Sequence, residues 1–272
     1  MITITFPNGK TKQYESGVTG YQIAKDISPA LAAAVLGMKV DGFMTDIRVP
    51  LTKDAAVRFL KWEDEEGKQV FWHSSSHLMA EALEILFPGV KFGIGPAIEN
   101  GFYYDIDLEG RQLTEADLET VERKMLEMAK TGQVFERREV SKDEALKTYR
   151  EKGDPYKCEL INDLEDGTIT FYSNGSFTDL CRGPHIPDTS VIKAVKLTSI
   201  AGAYWRGDEQ RQMLTRVYGI TFPKNPCWRN ISKCLKKRKK ETTANWERNW
   251  SFSPSHKGWD RDLPCGYPTG LP

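Results

Sequence analysis

The sequence predicts an α+β protein of two domains, and three observations carry that prediction. Residues 1–62 hold short alternating strand patterns around a single helical run. Residues 63–224 mix longer helical patterns with aromatic strand segments, and the intervening stretch Lys61-Trp62-Glu63-Asp64-Glu65-Glu66-Gly67-Lys68 is charged and poor in apolar residues. At 272 residues the chain is long enough for each part to own a core.

Each element follows from local pattern. Ile2, Ile4 and Phe6 alternate, Pro7-Asn8-Gly9 is a hairpin turn, and residues 11–14 return as the partner strand. Residues 19–27 have helical spacing, with Tyr21, Ile23, Ala24 and Ile27 available to pack on the sheet. Further strands are expected at 33–40, 43–48 and 56–60, around the Asp41-Gly42 turn. Hairpin, helix and then short strands is the order of a β-grasp, ubiquitin-like domain. The polar stretch 61–68 reads as a linker or turn, so the second domain begins near Gln69.

In that domain residues 72–87 are helical, with Leu78, Ala82, Ile85 and Leu86 as an apolar stripe and Pro88-Gly89 as the stop. A Gly-rich turn covers 91–96, and residues 101–107 are aromatic strand material. Thr114 caps a helix whose buried face is Leu118, Val121, Met125 and Met128, closed by Gly132; these methionines read as core. Ser141-Lys142-Asp143-Glu144 is a capping box for a shorter helix ending near Gly153. Strands are expected at 158–161, 168–172 and 177–180, and a last segment at 195–222. The whole predicts an α+β domain with an antiparallel sheet packed on a helix.

Two short motifs concentrate the chemistry. His73-Ser74-Ser75-Ser76-His77 places two imidazoles on one helix face, because side chains four apart lie one above the other. Cys181 and His185 repeat that spacing in Asp179-Leu180-Cys181-Arg182-Gly183-Pro184-His185, where Gly183-Pro184 argues for a turn. The chain has only four His, and three of them lie in these motifs, which weighs against an ordinary exposed helix face. Two His, a Cys and a His are donors that suit zinc. Spacing alone does not choose between a metal cage and a metal-free hydrolytic pocket.

Composition excludes other readings. Lys plus Arg and Asp plus Glu both number 38, so no global field draws nucleic acid, and any RNA contact has to be a local patch. No basic start with an apolar run marks a signal peptide, and no stretch approaches the roughly 20 apolar residues of a membrane span, so a cytoplasmic protein without membrane contact is expected. Cys158, Cys181, Cys227, Cys234 and Cys265 are odd in number and irregularly spaced, which argues for reduced thiols.

Five unlinked motifs then occur in one order: His73-Ser-Ser-Ser-His77, Gly101-Phe-Tyr-Tyr-Asp105, Asp179-Leu-Cys-Arg-Gly-Pro-His185, Gly202-Ala-Tyr-Trp-Arg-Gly-Asp208 and Leu214-Thr-Arg-Val-Tyr-Gly219. Together they resemble the N-terminal half of bacterial threonyl-tRNA synthetase. The resemblance implies a TGS domain over 1–62 and an editing domain over 63–224, whose part from about 168 to 222 is shared with alanyl-type synthetases. It stops before the aminoacylation core, with its ATP site and catalytic zinc. The family dimerises through that core, so a monomer is expected here.

Residues 225–272 change character: four of the seven Trp and three of the five Cys fall there, beside Lys236-Lys237-Arg238-Lys239-Lys240. One reading is a basic RNA-binding tail. The preferred reading is out-of-frame translation, because codons taken from the third base of the present ones permit Ser-Met-Leu-Glu-Glu-Tyr-Leu-Lys-Met-Leu over 225–235. Such a tail is expected to be disordered.

The resemblance also implies a reaction. Removal of serine from mischarged tRNA(Thr) is hydrolysis of an aminoacyl ester, which needs a positioned water, a proton acceptor and donors for the oxyanion. By resemblance His73, His77, Asp179, Cys181 and His185 are catalytic, while Tyr104 and Lys157 bind substrate. His73 is expected to position the water or the ribose hydroxyl, His185 to move the proton, Lys157 to meet the substrate backbone or oxyanion, and Asp179 with Tyr104 to meet the serine end. From the residues alone, Tyr104 reads as sheet core and Lys157 as a solvated charge. The family type works without metal, and the alternative is a zinc site of His73, His77, Cys181 and His185, as in alanyl-type editing pockets. A non-catalytic tRNA-binding module holding tRNA through Arg182, Arg206 and Arg216 is the other class.

Overall fold

The structure is a computed structural model and describes residues 1–224; the expectations for 225–272 lie outside the described residues. Strand β1 (Ile2–Thr5) pairs antiparallel with β2 (Thr11–Tyr14), and Gly9 takes the positive φ of 77° that the tight turn requires. After β3 (Val18–Thr19), helix α1 (Gly20–Ile27) starts on a capping box in which the Gln22 amide N–H donates to Thr19 Oγ1 and the Thr19 N–H donates to Gln22 Oε1. Ile23 and Ala24 are buried, but Ile27, the last helical residue, is exposed.

The strand expected at 33–40 begins two residues late. Pro29–Ala34 is helix α2, with Ser28 accepting the Leu31 N–H and Pro29 at the first turn. Next come β4 (Val35–Val40), β5 (Phe43–Thr45), β6 (Pro50–Leu51) and β7 (Ala55–Lys61). The strand expected at 43–48 stops at Thr45, where Asp46 leaves the sheet. The sheet order is β2-β1-β7-β4-β5, with β1 and β7 parallel, which is a β-grasp. Ile2, Ile4, Ile23, Met38 and Val57 fill its core, at about 1.5–3 kcal/mol for each large side chain buried.

No linker follows. Helix α3 (Glu65–Leu86) begins seven residues before the helix expected from Trp72 and four before the domain start expected near Gln69, with only three residues separating it from β7. The charges that read as a linker are the helix's first turn, where Glu65 and Glu66 meet the positive end of the dipole. A Cβ at Gly67 would overlap the Lys61 carbonyl, so only glycine permits this close return. Trp62 packs edge-on against Phe71, Trp72 and Phe222, and Leu36 of β4 joins the same core as Val70 and Phe71. The first domain is therefore packed on the helix that opens the second. Along α3 Leu78, Met79, Ala82 and Leu83 are buried, while Ile85 is exposed and lies off the expected stripe.

Short strands β8 (Lys91–Phe92) and β9 (Ala97–Ile98) lead to β10 (Gly101–Asp107). Helix α4 (Glu115–Ala129) carries the Thr114–Asp117 capping box and buries Leu118, Val121, Met125 and Met128. Strand β11 (Glu136–Glu139) precedes α5 (Lys142–Glu151), where Ser141 accepts the Glu144 N–H. The expected box is not closed, because the Glu144 side chain pairs with Arg138 instead. Residues 158–161, expected as strand, belong to helix α6 (Pro155–Asn162): Asp154 accepts the N–H groups of Tyr156 and Lys157, and Pro155 sits at the first turn. The chain ends its described part with β12 (Thr170–Asn174), β13 (Phe177–Leu180), β14 (Ala194–Tyr204) and β15 (Met213–Phe222). Antiparallel β14-β15-β10-β8 packs on α3 and α4, and β11-β12-β13 forms a second antiparallel sheet.

Candidate functional site

Helix α3 presents His73 and His77 one turn apart, with ring centroids 5.2 Å from each other. The serines between them tie the helix to its surroundings. Ser75 Oγ lies 2.6 Å from Thr221 Oγ1, and Ser76 Oγ donates to the Gly95 carbonyl at 2.7 Å. Beyond β13 the chain turns through a cis Gly183-Pro184 peptide and brings Cys181 and His185 against the helix. Cys181 Sγ then lies 3.3 Å from both His73 Nε2 and His185 Nε2, and it accepts the Gly183 N–H at 3.2 Å. Phe135 stacks on the His185 ring at 4.6 Å, with the planes 4° apart.

Ser74 assigns the His185 tautomer. Its hydroxyl proton goes to the Val70 carbonyl at 2.8 Å, and its oxygen accepts the Ile186 N–H at 3.0 Å. With that proton on Val70, His185 Nδ1, also 3.0 Å from the Ser74 oxygen, is the donor. Its Nε2 lone pair is left facing Cys181. His77 Nδ1 is buried without a hydrogen-bond partner among the described residues.

On the other side of His77 lies a charged cluster. Asp179 Oδ1 pairs with Lys157 Nζ at 2.6 Å and accepts the Tyr149 hydroxyl at 3.4 Å, while Oδ2 accepts the Tyr104 hydroxyl. Lys157 Nζ also donates to Tyr104 Oη at 3.1 Å, and His77 Nε2 is 3.9 Å from Asp179 Oδ2. Strand β10 supplies Tyr104, α5 Tyr149, α6 Lys157 and β13 Asp179. The bland reading of Lys157 as a solvated charge fails, because the residue is 3% exposed. Tyr104 is buried as sheet core requires and hydrogen-bonded as well. All seven residues singled out from the sequence meet in this one region. The sequence carries no signal for Tyr149 or Ser74, because a buried Tyr on the α5 face and a Ser beside His73 have no distinctive spacing.

Electrostatics separates the groups. Burial pushes the His77 imidazole down to about 3, with Asp179 opposing, and it also lowers that of the half-buried His73. His185 is driven well below the ordinary imidazole value by burial and by the two neighbouring His. All three are neutral near pH 7. Burial pushes the Cys181 thiol well up, with the Gly183 N–H opposing, so it is a protonated thiol rather than a thiolate. For Asp179, burial alone would raise the carboxyl; Lys157, His77 and Tyr104 outweigh it and hold it below its ordinary value.

His73, His77, Cys181 and His185 each offer one ligand atom, and these atoms lie within 4.8 Å of one another. A tetrahedral zinc with 2.0–2.3 Å bonds spaces its ligands roughly 3.3–3.7 Å apart, so the closest pairs already match and the widest has to contract by about 1 Å. The orphaned His77 nitrogen and the Nδ1–H bond from His185 to Ser74 fit such an ion and its outer shell. The donor set thus fits a divalent metal, with the thiol deprotonating on binding. No described helix is long and apolar enough to cross a membrane.

A β-grasp domain packed on an α+β domain with a His/Cys pocket defines the class: residues 2–61 match the TGS domain, and residues 169–218 match the threonyl and alanyl tRNA synthetase second additional domain. The chain corresponds to the N-terminal part of threonine–tRNA ligases. It is 55% identical over 271 residues to the threonine–tRNA ligase of Porphyromonas gingivalis, a match covering 99% of this chain and 42% of that protein. With the ligase of Bacteroides fragilis it is 57% identical over 224 residues, 82% of this chain and 35% of the relative. The ligase of Azobacteroides pseudotrichonymphae is 50% identical over 272 residues. The chain spans about 42% of the length of the curated relatives it matches most fully.

Proposed function

We propose that this part of the chain hydrolyses the ester of mischarged aminoacyl-tRNA, removing serine from tRNA(Thr). The observation that carries the reading is the convergence of His185 Nε2, 3.3 Å from Cys181 Sγ, with His73 and the buried Lys157–Asp179–Tyr104 cluster. A neutral imidazole is the proton acceptor that ester hydrolysis by water needs. In this reading His185 takes the proton and His73 holds the water or the ribose hydroxyl. Lys157 spends two of its three N–H groups on Asp179 and Tyr104, which leaves one for the substrate backbone or the oxyanion. Asp179 and Tyr104 meet the serine end. Cys181, as a protonated thiol, shapes the pocket and is not the nucleophile.

The need for such a site follows from affinity arithmetic. Loss of one methyl separates serine from threonine by only about 1–3 kcal/mol in a ligation pocket, too little for faithful charging. Purified chain is therefore expected to deacylate seryl-tRNA(Thr) and spare threonyl-tRNA(Thr). Binding of tRNA without turnover would sink the reading and leave a binding module. The compact His/Cys quartet favours one second reading, a zinc-dependent deacylase. Loss of activity on chelation, with recovery on added zinc, selects that alternative; activity that survives chelation selects the metal-free site.

A further inference from the structure

Asp46 belongs to the first domain, yet both carboxylate oxygens are engaged by the second. Oδ1 accepts the main-chain N–H of His185 at 2.6 Å, 139 residues away in sequence, and Oδ2 accepts the Tyr172 hydroxyl. Tyr172 in turn lies against the His185 ring, with centroids 4.6 Å apart, and occupies the space that a Cβ at Gly183 would need. Two residues on, Arg48 Nε donates to the Pro187 carbonyl at 3.2 Å. The segment carrying His185 is thus gripped from the first domain at two backbone points. Beyond those points, the His185 ring is held by Ser74 at Nδ1, by Cys181 at Nε2 and by packing against Phe135, Tyr172 and the two other imidazoles.

We propose that Asp46 is a positioning residue for His185, so that the hydrolytic pocket of the second domain is completed by the first. The inference rests on the reading of the pocket given above. Its physical basis is that a carboxylate accepting a backbone N–H makes a short, strong and directional bond. Without it the His185 N–H is orphaned and the turn is free to rotate Nε2 away from Cys181 and the substrate. A misplacement of about 1 Å at a reacting group costs up to a hundredfold in rate.

The test uses the full chain with Asp46→Ala, Asp46→Asn and Tyr172→Phe. Asn keeps an oxygen for the His185 N–H, and Phe keeps the ring while deleting one hydrogen bond to Asp46. In nitrogen-15 spectra of the His side chains, Asp46→Ala is expected to shift the His185 ring signals and mix its tautomers, Tyr172→Phe to do so less, and Asp46→Asn to stay close to the parent. In seryl-tRNA deacylation, Asp46→Ala should lower kcat roughly 10- to 100-fold with KM within about twofold, and Asp46→Asn should recover most of it. Unchanged His185 signals in Asp46→Ala would overturn the proposal, whether or not the chain deacylates. A parent protein that fails to deacylate seryl-tRNA overturns the hydrolase reading instead, and the ring signals still decide the position. Should Asp46→Ala not fold, unchanged His185 signals in Tyr172→Phe and equal kcat would be the overturning result.

Discussion

The pocket has two halves that meet at His77, and they differ in how much hydrogen-bonding capacity is left over. Around Asp179, the carboxylate takes donors from Lys157, Tyr104 and Tyr149, and the charges are matched. Around Cys181, the thiol lies 3.3 Å from the neutral His73 and His185 imidazoles, and the third, His77, has no partner for Nδ1 among the described residues. A saturated buried ion pair is rigid and has little left to give a reaction beyond shape and one spare ammonium proton. An under-satisfied neutral cluster costs stability and retains lone pairs, which is what a proton acceptor or a metal ligand requires. Under the proposed reading, binding falls to the charged half and chemistry to the neutral half.

The contrast breaks hardest at His185. Its replacement by Ala is expected to lower seryl-tRNA deacylation about 100- to 10,000-fold in protein that remains folded, and His73→Ala should follow the same direction. Retention of parent rates in both variants would remove the chemistry from the neutral half. Asp179→Ala should behave in the opposite manner. Removing one partner strands the Lys157 charge in the interior, and denaturant titration should register a loss of about 3–5 kcal/mol. A loss below about 1 kcal/mol would mean that Lys157 finds water and that the charged half is not a rigid unit.

Acid sharpens the comparison through His77. Its folded value is pushed down to about 3, against 6.5 for an ordinary imidazole. Above pH 6.5 both folded and unfolded states are neutral there, and the group contributes no pH dependence. Below 6.5 the unfolded chain binds the proton and the folded chain does not, so stability falls by about 1.4 kcal/mol per pH unit until pH approaches 3. The buried carboxyls of Asp46, Glu81 and Asp154 are raised by burial and act with the opposite sign. The measurement is therefore a difference: the stability of the parent relative to His77→Gln should decline by that slope between pH 6.5 and 4. A parallel pair of pH curves would refute the burial of a neutral imidazole. The smallest effect is expected at Cys181, where Ala substitution should leave the metal-free rate within about tenfold, because a protonated thiol does not attack the ester. Loss of the intermediate range, with rates falling a thousandfold, would point to a metal-bound or nucleophilic sulfur.

Much of this was legible locally. The i, i+4 pair of His on α3, the Thr114 capping box and the Ile2, Ile4 alternation each depend on residues within one turn or one strand, and the structure follows them. Where local signals competed, the reading slipped. Asp154-Pro155 is a helix start that outweighs the strand-like stretch 158–161, and the acidic run before Gly67 is a first helical turn rather than a linker. In both places capping geometry outweighs composition.

By itself the sequence determined the α+β class, the β-grasp order, the helix that carries two imidazoles and the residue types able to move a proton or hold a metal. These are consequences of backbone period and side-chain chemistry, which need no partner from elsewhere in the chain. Only the tertiary structure decided that His185 meets Ser74, 111 residues away, through Nδ1 and Cys181 through Nε2. It alone decided that Lys157 is buried against Asp179, that Tyr149 joins them, and that Asp46 reaches across the domain boundary to the His185 backbone. Each of these is a pairing of one donor with one acceptor at long range. Such pairings are selected by packing, since a buried polar group costs about 1–3 kcal/mol when left alone and the fold has to bring it a partner.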